Sequence, residues 1–421
     1  MNIILFDDPN IRPDLLPFTF TRPVGEIRIG ILTIAEKWKK AIQGEVSFQT
    51  EKYLQAKFPT ITTSDNCFIN GAACPDAKLV ELIKNLRIGE ALTQGDVLIA
   101  ARVSDSELPA LTKLKCQPCS PALLIDQVWK IFQLNGAQIR SDFKMITANR
   151  KSFSVDDVHT HVYNPGNIFI EEGVTIRAAI LNAEGGPIYL GKNSYIHEGA
   201  IIRGPFALCE GSHVNMGAKI RGDNTVGPFC KVGGEISNSV IFGYSNKAHD
   251  GFLGNSVIGE WCNIGADTNS SNLKNNFDNI KVWNHKKNGF VSSGLTFCGL
   301  MMGDHSKCGI NTMFNTGSVA GVGANIFGDG YPRTFIPSFA WGGPSGFSTF
   351  KLDKVFETAS KVMERRNLTL TEMDKKILED VFYQTKEFRV WEKYLPVSGF
   401  RVSRFQVSKI VVFFVIPLCS L

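Results

Sequence analysis

Residues 190–232, LGKNSYIHEGAIIRGPFALCEGSHVNMGAKIRGDNTVGPFCKV, return an aliphatic side chain every sixth place: Leu190, Ile196, Ile202, Leu208, Val214, Ile220, Val226 and Val232. With Val, Ile and Leu at roughly a quarter of positions, eight hits in one phase would arise by chance about once in 10^5, so the period belongs to the fold. The residue four places on is usually small: Ser194, Ala200, Ser212, Ala218, Cys230. Short strands that turn every six residues satisfy both regularities, with the aliphatic inward and the small residue letting the corner close. Three hexads then make one triangular turn of a parallel β-helix.

After Val232 the phase slips by two, and the period predicts inward positions at Val240, Asn246, Phe252, Ile258 and Ile264. It resumes a third time at Met302, Cys308, Phe314, Ala320 and Ile326. A slip without loss of period is a loop bulging from a corner. Residues 270–299, with Asn-Asn, Lys-Lys-Asn-Gly and the aromatics Phe277 and Trp283, are too long for that and are expected to leave the coil as an arm.

The chain has 421 residues, 43% of them hydrophobic, enough for two or three packed domains. A net charge of +5 is small for this length and its Lys and Arg are scattered, so no nucleic-acid partner is implied, while small anions remain possible ligands. Ten cysteines at irregular spacings, and a start without a basic leader or cleavage site, lead to the expectation of a cytoplasmic protein with free thiols. Cys116 and Cys119 form one CxxC; without a second pair it is read as two thiols on a loop. Residues 409–421 are apolar but too short to span a bilayer, so no membrane partner is expected. That tail is read as a docked strand or a non-native extension.

Four regions follow: 1–165, an α/β domain with its linker; 166–345, the coil; 346–395, C-terminal helices; and 396–421, the tail. In the first, strand-like segments at 2–6, 67–69 and 97–103 alternate with helical ones at 32–42 and 77–86, with Asp76 as an N-cap. Residues 124–134, with Trp129 and Phe132, read as an amphipathic helix, and together with Asp142 and Phe143 as the link to the coil. Beyond it, prolines at 332, 337 and 344 end the period over a segment that must cover the coil's open end, with Phe339 and Trp341 packing there. Residues 352–366 and 371–388 read as amphipathic helices, Thr371 and Asp374 forming a capping box. Their apolar faces need a partner, for which the coil of another subunit is a candidate.

Arg12, Leu15-Leu16-Pro17-Phe18-Thr19 and Arg22-Pro23 resemble the signature of sugar-nucleotide pyrophosphorylases, where strand one leads to Gly-x-Arg, Leu-x-Pro-Leu-Thr and Pro-Lys. The resemblance implies a nucleotidyltransferase-like domain using Mg2+ with UTP or dTTP, in which Arg12 and Arg22 hold phosphate. Two departures stand out. Phe6-Asp7-Asp8-Pro9-Asn10 replaces the Gly-rich loop and would repel phosphates, and Val24 follows Pro23 in place of Lys.

In the coil, His197, His213, His249 and His305 are spaced by 16, 36 and 56 residues, a pattern that disfavours metal catalysis; any metal is left unknown. His249 follows the slip, in Lys247-Ala248-His249-Asp250-Gly251-Phe252-Leu253-Gly254. With Glu235-Ile236-Ser237 before it and Asn263-Ile264-Gly265-Ala266 after, the stretch resembles the bifunctional glucosamine-1-phosphate acetyltransferase / N-acetylglucosamine-1-phosphate uridyltransferase family. That resemblance implies a left-handed parallel β-helix, a homotrimer and acetyl-CoA as co-substrate. It makes His249 the general base, places Arg221 and Asn263 on the sugar phosphate, puts Phe252 in the substrate site where the family has Tyr, and lines the coenzyme A groove with Ala266. Ser237 for Lys, Phe252 for Tyr and Asp267 for Gly depart from the pattern and remove sugar-binding donors. Independently of any family, a neutral imidazole is available near pH 7 to take a proton from an attacking amine. His305 is the rival base.

The function expected is acetyl transfer to an amino-sugar 1-phosphate, with a divergent nucleotidyltransferase domain. The alternatives are a nucleotidyltransferase whose coil is a trimerisation scaffold, and a non-enzymatic β-helical assembly protein.

Overall fold

The structure, a computed structural model, describes residues 1–394, so the tail at 396–421 lies outside the described residues. No helix among those residues is long and apolar enough to cross a membrane.

The N-terminal domain is built on a six-stranded sheet ordered Val46–Gln49, Asn2–Phe6, Asn66–Asn70, Val97–Val103, Glu90–Gln94, Lys115–Pro118. Asn2–Phe6 pairs in parallel with both neighbours, as a strand buried on both faces does. Helix α1 (Ile34–Ile42) starts at a Thr33–Glu36 capping box, and α2 (Ala77–Asn85) at Asp76, whose carboxylate accepts from Leu79 N. Three expectations need correction. The segment at 124–134 becomes the shorter α3 (Val128–Gln133), running at once into α4 (Asn135–Thr147). Asp142 belongs to α4, a packed helix and not an open linker: its carboxylate is buried against the Lys37 ammonium, while Ile139 and Ile146 of the same helix pack on Ala207 of the coil. Cys116 lies in an edge strand rather than a loop.

From His161 the chain winds through three parallel sheets, visited in turn, of eight, nine and ten strands. This is a left-handed parallel β-helix. The first face runs from His161–Tyr163 to Met313–Phe314, the second from Ile168–Ile170 to Phe335–Ile336, and the third from Thr175–Ile176 to the hairpin Ala340–Gly343 and Gly346–Thr349. All eight aliphatics of the opening hexads form one buried core, joined by Met302, Cys308, Phe314, Ala320 and Ile326. The middle phase differs by one residue. Inward positions there are Ile236, Ile241, Lys247, Leu253, Ile258 and Ile264, so Asn246 and Phe252 are half-buried and point out, and Val240 packs outside the coil. Corners shortened around Asn238 and Asn255 shift the register while the strands stay paired, Val232 against Lys247 and Ile236 against Leu253.

The N-terminal domain packs on the second face. Its core includes Val240, Phe242, Val257, Met301 and Val319 of the coil, together with Ile280, Val282 and Cys298 of the arm. The arm does leave the coil, as the hairpin Lys281–Asn284 and Gly289–Ser292. It folds back on the first domain, Asn284 Nδ2 donating to Asp14 Oδ1 at 2.7 Å. At the corner between the second and third faces, Phe229, Tyr244, Trp261, His305 and Phe339 recur in left-handed backbone conformation; the first four stack, Tyr244 and Trp261 at 4.2 Å. Helices α5 (Leu352–Glu364) and α6 (Glu372–Gln384) bury Val355, Ala359, Ile377 and Val381 against Trp261, Val322 and Phe339. Their partner is therefore this chain's own coil and not a second subunit. Phe339 packs there as expected, whereas Trp341 stays 39% exposed.

Candidate active site at the His249 corner

His249 stands on the turn from the third face to the first, after Asn246–Lys247 and before Phe252–Gly254. The turn is held from inside. Lys247 occupies an inward position and sends its ammonium to the main chain, Nζ donating to Gly233 O at 3.3 Å, Asp250 O at 3.0 Å and His249 O. Asn215 Nδ2 donates to Ala248 O at 2.8 Å from the preceding turn. Gly234, at φ 70°, leaves room: a Cβ there would stand 2.9 Å from His249 O. Burial pulls the Lys247 pKa down to about 8, opposed by Asp250 and more distant acids. The imidazole of His249 is exposed, and its ring nitrogens make no hydrogen bond among the described residues.

Two cavities meet at this imidazole. One, of about 640 Å³, lies over the corner and is lined by His197, Asn215, Met216, Ala266 and Asp267. The other, about 700 Å³, runs along the third face past Asn263 toward the end of α5. His249 and Ala266 border both, and Asn263 the second. Arg221 and Phe252 border neither. They lie on the first face, where Arg221 Nε pairs with Glu235 at 3.2 Å and Phe252 is the register partner of Glu235. Above the corner, His197 Nε2 is 3.4 Å from His213 Nδ1, and burial lowers the pKa of both.

His305, the rival base, sits in the aromatic ladder with Nδ1 buried and unpartnered, and burial pushes its pKa down to about 3. The residue borders a cavity of about 320 Å³ together with Arg22, Glu26, Glu260 and Asp304, one that neither His249 nor Asn263 lines. Arg12 and Arg22 also differ from expectation. Arg12 is buried, pairs with Asp7 at 3.2 Å and reaches Glu51 at 3.6 Å. Arg22 is buried between Asp304 and Glu260, both on the coil. Burial alone would lower its pKa, but the two carboxylates hold it above the ordinary value. These guanidinium groups, expected to grip phosphate, serve instead as internal struts, because carboxylates reach them first. Where a Gly-rich loop would cradle a nucleotide, Asp7 accepts from Val24 N at 2.8 Å and Thr50 Oγ1 at 2.6 Å.

Lys247 was missed by pattern reading, since an inward charge contradicts the hexad rule. So was the cluster Lys231, Lys307, Arg365 and Arg366 around the larger cavity. Its members lie in separate hexads and on a helix more than a hundred residues from His249, and no local motif links them.

Residues 3–151 match the family model for sugar nucleotidyl transferases. Among curated proteins, the chain is 38% identical over 95 residues to the bifunctional protein GlmU of Methanococcus aeolicus, 22% of each chain. It is 37% identical over 93 residues to a bifunctional sugar-1-phosphate nucleotidylyltransferase/acetyltransferase of Sulfurisphaera tokodaii, covering 22% of this chain and 23% of that one. The chain thus spans under a quarter of the length of these relatives. A solved structure, the UDP-N-acetylglucosamine acyltransferase of Francisella novicida, shares 13% identity over 58% of this chain and 87% of that one, with a TM-score of 0.25.

Proposed function

We propose that the chain is an acetyl-CoA-dependent N-acetyltransferase acting on an amino-sugar 1-phosphate, with His249 as general base. The observation that carries this reading is an unbonded imidazole on a braced corner, bordered by two cavities large enough for a sugar and a thioester arm. His249 takes the proton as the amine nitrogen attacks the thioester carbonyl carbon. The tetrahedral intermediate then collapses, the C–S bond breaks, and the imidazolium returns the proton to the departing thiolate. Backbone N–H groups at the corners are the available donors for the oxyanion. Asn263 and Ala266 border the same space. Arg221 and Phe252, on the first face, border neither cavity, and a homotrimer with sites between coils is the arrangement in which the resemblance would bring them to the acceptor. His249→Ala should lower kcat by about 10^2 to 10^4 with an unchanged melting temperature, read as release of coenzyme A thiol. A wild-type protein releasing no thiol with glucosamine 1-phosphate or other amino-sugar phosphates would refute the reading.

The family match over residues 3–151 supports a second reading, nucleotidyl transfer at the N-terminal domain with Mg2+ and UTP or dTTP. The test is pyrophosphate release from either nucleotide with a sugar 1-phosphate. Arg12 and Arg22 are poor probes of it, because both are built into the structure. Thr50, half-buried beside Asp7 just past Val46–Gln49, is a better one.

A further inference from the structure

Four outward residues occupy successive rungs of the third face: Lys231, Asn246, Asn263 and Lys307. The end of α5 lies over this column, and Arg366 Nη2 donates to Asn246 Oδ1 at 3.2 Å. Lys231, Lys307, Arg365 and Arg366 thereby line the 700 Å³ cavity beside His249, and no Asp or Glu lines it. Among the described residues none of the four makes an ion pair, whereas Lys361, one turn earlier on α5, pairs with Glu357. The negative end of the α5 dipole accounts for arginines at and just past its C-cap. It does not account for Lys231 and Lys307, which belong to the coil and repel them. Lys307 is held by its bond to His305 O at 2.9 Å, at the cost of burial that lowers its pKa. Uncompensated like charges around one cleft are tolerable where an anion completes them, and guanidinium forks suit phosphate oxygens.

We propose that this cavity is a diphosphate-binding site in which α5 supplies Arg365 and Arg366 against Lys231 and Lys307. The inference rests on the reading of His249 as the reacting corner and gives the C-terminal helices a task in it: a diphosphate anchored here leaves the far end of the same ligand at the imidazole. Two ligands share that chemistry, a coenzyme A thioester and a nucleoside-diphosphate sugar.

Calorimetric titration of the full chain with inorganic pyrophosphate, coenzyme A, UDP and pantetheine tests it. Wild type should bind pyrophosphate and at least one of coenzyme A and UDP, and the stronger of these identifies the source. The double variant R365Q/R366Q should lose about tenfold or more in affinity for the phosphate-bearing probes, and with them part of the salt dependence, while pantetheine binds both proteins alike. K231Q, on the coil and away from the helix, should show the same loss if the double variant misfolds. Either variant binding all probes as tightly as wild type, or a wild type that binds none of them, overturns the proposal. His249→Ala should bind pyrophosphate as wild type does, so a failure of acetyl transfer leaves the anion site standing and a failure of anion binding leaves His249 standing.

Discussion

At the scale of single residues, the decisive placement is Lys247 inside the coil. A lysine at an inward hexad position costs desolvation, and here the ammonium recovers it by tying three carbonyls, those of His249 and Asp250 in the corner itself and that of Gly233 in the turn of the preceding rung. Lys247→Met keeps the stem and removes the ties. It should lower kcat with KM little changed and shift the pH profile, while Lys247→Arg restores neither because the fork does not fit the same pocket. The sign of its pH effect is defined. With the folded pKa near 8 and the unfolded value at 10.5, the unfolded chain binds more protons between those pH values. Wild-type stability should therefore rise relative to Lys247→Met from about pH 8 to about pH 10.5, checked by urea unfolding across that range. Arg22 makes the complementary point. Its buried position between Asp304 and Glu260 predicts that Arg22→Met destabilises by about 3–5 kcal/mol in urea titration, since a buried carboxylate is left without its partner.

At the scale of elements, the arm and the corner ladder show how much lies between the hexads. His285 on the arm is enclosed by Phe20, Trp283, Phe335 and Phe388, and burial pushes its pKa down to about 3. The unfolded chain takes up its proton near pH 6.5, so stability should fall as pH drops from about 6.5 toward 3, with His305 adding to the slope. His285→Phe should flatten this limb, measured as melting temperature at pH 7 and pH 5. The arm was legible as a departure from period. Its destination was not, because docking on Asp14 and Asn10 depends on where the first domain lies. The ladder left a fainter trace: one aromatic per turn at Phe229, Tyr244, Trp261 and His305, at intervals that vary with the shortened corners. Those corners also explain the displaced middle phase. A six-residue rule assumes equal corners, and pairing between rungs tolerates unequal ones.

At the scale of the molecule, the first domain and the coil share a core and are not beads on a string. Phe242, on the second face, is buried within 5.5 Å of Phe18 in the first domain. Phe242→Ala should cost about 3–5 kcal/mol, and wild type should unfold in one transition by far-ultraviolet circular dichroism and by tryptophan fluorescence alike. Two separated transitions in the wild type would contradict a shared core. The same docking explains the fate of the phosphate-binding signature in the first domain. Arg22 was available to phosphate only in a domain considered alone; on the coil it meets Asp304 and Glu260.

Local spacing by itself determined the coil, its three-sided winding, the helices α1, α2 and α6 and the caps of the last two, because each depends on residues within a few positions of one another; His249 was singled out by the family resemblance. Tertiary structure alone decided which face the first domain covers, that α5 and α6 pack on their own coil, that Arg12 and Arg22 are struts, and that four cations from distant hexads and one helix end surround a single cavity. Those outcomes depend on charges and apolar surfaces brought together from far apart along the chain, and periodicity carries no information about which of them will meet.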